Sequence, residues 1–311
     1  MNTYTLAALL AVPAVFAAAE PGRANELEDK IKKYATGYYT EAQKGTDRSY
    51  PQIAKDIIDI CRDGGVKVDT IEGLISHFEQ QGSAFVLTVS HDSKVDIQLG
   101  KIQTREKTTA TVLDTPVELE VVTVYPLIIG SYNQNIRSNG TGAPSLLDVK
   151  NRRMYLFLDN LFPHARAAWD ISNGKWDYAI SDQFPKSRDT VPLVKEEFAD
   201  IPRSAQDEFV STFILRERQR LVEHEAAHLF LQSRRFKPEI EEAYAEIITG
   251  AHGTLRTSKN ISSALFSPEN SHDYKWASHA LTLLKSDKST VSRDFRTKCQ
   301  EAVKELKRQT K

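Results

Sequence analysis

The spacing of apolar positions changes twice along this chain. From Ala24 to about Gly82 apolar residues return every three or four positions, which predicts amphipathic helices. "ANELEDKIKKYATGYYTEAQKG" puts Leu27, Ile31 and Tyr34 on one stripe. "YPQIAKDIIDICRDGG" begins near Pro51 and stops at Gly64-Gly65, and "DTIEGLISHFEQQG" opens on an Asp/Thr cap and closes at Gly82. From Ala84 the period falls to two. "AFVLTVS", "KVDIQLGKI", "KTTATVLD" and "VELEVVTVYPLII" predict β-strands separated by short polar turns. "RRMYLFLD" predicts one more and "KWDYAIS" is a further candidate, while the Gly/Asn/Ser-rich stretch 130–145 reads as a long loop. After Asp189 the helical period returns. "RSAQDEFVSTFILRERQRLVEHEAAHLFLQSRR" contains no Pro or Gly and can be capped by Ser204, and "KPEIEEAYAEIITGAHG" starts with Pro238 near the first helical position. "HDYKWASHALTLLKSD" and "RDFRTKCQEAVKELKRQ" complete the chain. Helices, then strands, then helices define an α+β layout.

The first nineteen residues stand apart. Leu6 to Ala19 is an uncharged run ending in Ala17-Ala18-Ala19 before Glu20. It is shorter than the roughly 20 residues of a membrane span and suits the apolar region of a secretory signal peptide, although "MNTYT" lacks the usual positive charge. The expectation is a leader over 1–19, a helical segment over 20–82 that is a propeptide or accessory unit, and a main domain over 83–311. The mature protein is then secreted or periplasmic, without stable membrane insertion. A net charge of −1 removes the simplest argument for nucleic acid as partner. Two cysteines, Cys61 and Cys299, rule out a Cys-rich metal site, and they bridge only if their Cα atoms come close. "NGT" at Asn139 and "NIS" at Asn260 fit the glycosylation pattern.

The candidate chemistry lies in "LVEHEAAHLF". On a helix His224 and His228 lie one turn apart on the same face, where two neutral imidazoles can hold one Zn²⁺. Glu225 is rotated away from both and can reach a metal-bound water as general base. H-E-x-x-H arises by chance in on the order of one chain in a hundred of this length, so the next helix has to discriminate. "EIEEAYAEI" offers Glu239, Glu242 and Glu246 on one face. Folded back through "SRRFK", it brings Glu242 level with His228 and Glu246 level with His224.

"HEAAH" followed by "EEAYAE" resembles the gluzincin group of zinc metallopeptidases, to which thermolysin and the alanyl aminopeptidases belong. The resemblance covers about 25 residues. It implies a zincin-like fold: a mixed sheet, an active-site helix and a helical C-terminal lobe, here with an extra N-terminal helical segment. It implies one Zn²⁺ per chain held by His224, His228 and Glu242, with Glu246 hydrogen-bonding a zinc histidine from outside the coordination sphere. It also implies Glu225 as general base and a peptide or protein substrate, paired in extended form with an edge strand such as "RRMYLFLD" or "KWDYAIS". The oxyanion donor is then Tyr274 or, second, His272 from "SHDYKWASHA". Two alternatives stay open. One is an inactive zincin-like binding protein. The other is a di-iron helix bundle built on the two E-x-x-H pairs, Glu225/His228 and Glu269/His272, against which Pro268 stands just before the second pair.

Overall fold

In a computed structural model the N-terminal stripes become three helices, α1 (Pro21–Gln43), α2 (Tyr50–Asp63) and α3 (Ile71–Gln80). The structure describes residues 21–45, 48–89, 95–126, 145–157, 161–174, 197–198, 206–251, 260–261, 264–265, 267–286 and 294–309. The expected leader, Asn139, "KWDYAIS" and the cap at Ser204 lie outside them. Thr70 caps α3, its Oγ1 accepting the Gly73 N–H at 3.0 Å. Leu27 and Ile31 of α1, Ile53 and Ile57 of α2, and Leu74 and Phe78 of α3 are buried against Phe85, Leu87, Val95, Ile97 and Leu99. α1, α2 and α3 therefore share one core with the start of the sheet.

The sheet has five strands, β1 (Ser83–Val89), β2 (Val95–Val112), β3 (Thr115–Pro126), β4 (Ser145–Asp148) and β5 (Arg153–Phe157), in the order β1-β2-β3-β5-β4. β3 and β5 run parallel and the other neighbours antiparallel, so the sheet is mixed. Two expectations are corrected here. "KVDIQLGKI" and "KTTATVLD" are one strand, β2. The polar residues between them pass through a bulge between Ile102 and Thr104 instead of a turn. Arg105 there stands 3.6 Å from Glu79 and 3.7 Å from Glu120, and Glu106 pairs with Arg218. Those residues are polar because charged partners await them. The second correction concerns the edge. Within "RRMYLFLD", Arg153–Phe157 form β5, which is flanked on both sides, so among the described residues the end strands are β1 and the short β4. The β2–β3 turn is Leu113-Asp114, with φ of 47° and 66°. Both lie in the left-handed region that a two-residue hairpin needs to match strand twist.

Helix α4 (Phe162–Ser172) follows β5 and was not visible as a stripe in the sequence. α5 (Gln206–Gln232) then crosses the sheet. Its Leu221, Val222, Ala226, Leu229 and Phe230 pack on Val117, Leu119, Val121, Met154 and Leu156, which alternate along β3 and β5. A turn with Arg235 at φ 58° returns the chain as α6 (Pro238–Gly250), antiparallel to α5. α7 (His272–Leu283) and α8 (Phe295–Gln309) cover α6 through Trp276, Ala280, Phe295 and Cys299. The observed class is α+β with a mixed sheet. Among the described residues no helix is long and apolar enough to cross a membrane. Cys61 and Cys299 are free thiols buried in separate clusters, and burial pushes them up to about 11 and about 12.

Candidate metal centre

The site is built by the α5–α6 pair. α5 buries an apolar face on the sheet, which turns the stripe Glu217, Arg220, His224, His228 toward α6. α6 answers with Glu241, Glu242 and Glu246. Among the described residues His224, His228 and Glu242 are the group whose ligand atoms all lie within 4.8 Å of one another. The two Nε2 atoms are 3.1 Å apart. Glu242 spans both, with Oε1 at 3.8 Å from His224 Nε2 and Oε2 at 3.3 Å from His228 Nε2.

These distances test the fit of a metal. A tetrahedral ion about 2.0–2.1 Å from each donor separates its ligand atoms by about 3.3 Å. Two imidazole nitrogens and one carboxylate already stand at that spacing, and the donor types suit Zn²⁺. The electrostatics agree. Burial works against the charge on Glu242, but His228, His224 and His272 hold its carboxyl down at about 2. Burial also opposes charge on His228, yet its contacts with Glu241 and Glu242 raise it well above the usual 6.5. Glu242 is thus held as a carboxylate against the two histidines, and the same carboxylates favour a positive charge at His228.

The carboxylate behind His228 is Glu241, which sequence reasoning missed. Its Oε1 lies 2.7 Å from His228 Nδ1 and accepts a hydrogen bond from Gln232 Nε2 at 3.0 Å. Donation from Nδ1 to this acceptor leaves the lone pair on Nε2, where a metal needs it. Glu246, expected beside a histidine, belongs to a different arrangement. Its Oε1 accepts from Asn260 Nδ2 at 2.5 Å, and its charge acts on the buried Arg220. Arg220 also donates from Nε to Glu217 Oε2 at 3.2 Å. Glu246 thus serves a charge cluster one helix turn deeper than the metal donors. The amide of the Asn260 sequon is engaged in the same cluster.

Glu225 is buried beneath the sheet edge, where Ser145 Oγ, at the start of β4, donates to its Oε1 at 2.7 Å. Burial pushes the Glu225 carboxyl up, against the charge of His228 and this hydrogen bond. Of the two candidate electrophiles, His272 opens α7 and lies close enough to lower Glu242. Tyr274 contributes its backbone N–H to the Ser271 cap at 3.2 Å, and no described contact brings its ring to the donors. His279 packs instead on Tyr244, ring centroids 6.3 Å apart. Glu269 sits in an exposed turn ahead of α7 and is not in the donor group, so among the described residues the two E-x-x-H pairs do not form one metal-binding cluster. No family model, no curated protein and no solved structure matches the chain.

Proposed function

We propose that this protein is a zinc-dependent metallopeptidase, exported from the cell in which it is made. The observation that carries the reading is the convergence of His224, His228 and Glu242 within 4.8 Å, with Glu225 on the adjacent helix position. His224 and His228 would bind through Nε2 and Glu242 through its carboxylate, while Glu241 orients His228. Bound there, zinc supplies a Lewis acid and a water acidified to about pKa 7.

The chain's own residues divide the remaining work. Glu225 takes the proton of the attacking water and returns it to the leaving amine. Its burial beside Ser145 keeps bulk water from competing for that proton. His272, which opens α7 and whose charge acts on Glu242, would donate to the developing oxyanion in preference to Tyr274. An extended peptide would add to the sheet along β4, an end strand among the described residues and the one whose Ser145 reaches Glu225.

The test combines metal content with turnover. About one zinc per chain by plasma mass spectrometry, lost in His224→Ala, is the expected result. Glu225→Gln should keep the zinc and lose about 10²- to 10⁴-fold in peptide hydrolysis. A Glu225→Gln protein that cleaves as fast as the parent would end the proposal.

A further inference from the structure

We propose that Ser145 is a positioning residue for Glu225, setting which of its carboxylate oxygens is free to carry the proton. The inference rests on the metallopeptidase reading of the same site, and it concerns a residue that no spacing in "HEAAH" or "EEAYAE" points to.

Three observations carry it. Glu225 is buried, and the Ser145 hydroxyl is the hydrogen-bond donor that reaches it among the described residues, 2.7 Å from Oε1. The two groups also come from independent scaffolds. Glu225 is carried by α5, whose neighbouring Ala226, Leu229 and Phe230 are locked in the core. Ser145 is carried by β4, where its backbone is in register with Leu156 of β5, itself in register with Thr123 of β3. Finally, the terminal torsion of a glutamate is broad and roughly two-fold, so packing of the methylenes alone does not choose between its oxygens. A donor fixed by the sheet does choose. The bond engages one lone pair of Oε1 and lowers its basicity, so Oε2 is the oxygen favoured for proton transfer.

The same contact ties the base to the sheet edge. Among the described residues β4 pairs with β5 alone, so an extended chain added on its other side would lie beside the strand that holds Glu225 in place. Ser145 would then keep the base aligned relative to the scissile bond as the substrate strand docks. A shift of about 1 Å in such a group can cost on the order of 10²-fold in rate.

The experiment has two readouts. The first is a double-mutant cycle on urea unfolding of the metal-free protein, using Ser145→Ala and Glu225→Ala. Ser145→Ala should raise the unfolding equilibrium constant about tenfold or more with Glu225 present and have little effect without it, as expected for a hydrogen bond to a charged group. The second is steady-state kinetics of the zinc-loaded protein on the best-cleaved member of a quenched fluorescent peptide library. Ser145→Ala should lower kcat by about 10- to 100-fold with KM within about twofold and zinc content unchanged. Ser145→Thr, which keeps the hydroxyl, should restore most of kcat.

Equal effects of Ser145→Ala in both backgrounds overturn the contact and the proposal with it, whatever the kinetics. Coupling with an unchanged kcat in an active parent overturns the positioning role alone. A parent that shows the coupling but binds no zinc and cleaves no peptide overturns the metallopeptidase reading, leaving Ser145 a structural partner of Glu225.

Discussion

The two helical regions of this molecule bury very different things. The α1–α3 segment meets β1 and β2 through Leu27, Ile31, Ile53, Ile57, Leu74, Phe85 and Leu99, all apolar. Glu28, paired with Ser83 and Lys101, is its buried carboxylate. The α5–α6 pair buries Glu217, Arg220, Glu225, Glu241 and Glu246 along two adjoining helix faces. Charge burial is expensive and is often no better for stability than an apolar substitute. The first region is therefore organised for stability. The second spends stability to hold charges at set positions, and in the site it leaves three donors converging on one point.

The strongest way to break this comparison is Arg220→Met. It leaves Glu217 and Glu246 buried without their guanidinium, and the cost should be about 3–5 kcal/mol, measured as unfolding free energy in urea. A loss below about 1 kcal/mol would mean that the cluster is solvated and the contrast between the regions is false. Ile57→Ala probes the other side. Ile57 is fully buried, so about 2–5 kcal/mol should be lost while zinc per folded chain stays the same. Zinc lost in step with stability would show that the regions are not separable in function.

Glu241→Gln sharpens the account of the donors. The hydrogen bond to His228 is weakened while the ligands stay, and zinc affinity should fall about 10- to 100-fold by competition with a chromophoric chelator. If Glu246→Gln has the larger effect on affinity, then Glu246 acts on the histidines after all.

The smallest expected effect is a pH dependence with opposite signs in the two metal states. His228 is raised above its usual 6.5, so its contribution to the metal-free fold is complete below that value and is lost as pH rises through the folded pKa. Glu242 is lowered from 4.5 to about 2, so its contribution is complete above 4.5 and is lost as pH falls toward 2. These two groups place the highest Tm of metal-free protein between about 4.5 and 6.5, and the raised carboxyl of Glu225, which loses stability as pH climbs above 4.5, moves it toward the lower end. The rise in Tm on adding zinc should instead grow with pH, because the metal needs the neutral imidazole. A zinc shift that shrinks from pH 6 to pH 8 would count against histidine ligation.

How far the site could be read in advance varied with the residue. His224, Glu225 and His228 follow from helical periodicity, since 100° per residue is fixed by backbone hydrogen bonding whatever surrounds the helix. Glu242 needed one further assumption, a tight antiparallel return through the turn at Arg235. Glu241 and Glu246 could not be ordered that way. They lie five positions apart on α6, and which one meets a histidine depends on how α6 is rotated and tilted against α5. Packing of Ala243, Ile247 and Ala251 under α7 and α8 decides that rotation. Ser145 was out of reach for a different reason, because its strand is four residues long and follows a Gly/Asn/Ser-rich sequence with no strand period.

The amino-acid sequence alone determined the features that depend on local chemistry: the helices at both ends, the period-two middle and the paired histidines with an acid between them. These are set by backbone geometry and by which side chains a helix or strand can place on one face. Tertiary structure alone decided that β2 runs unbroken through its charged centre, that β4 is an end strand of the described sheet, and that Glu241 and Ser145 flank the donors. Each of those depends on contacts between residues distant in the chain, where sheet register and helix rotation are chosen by burial over the whole core.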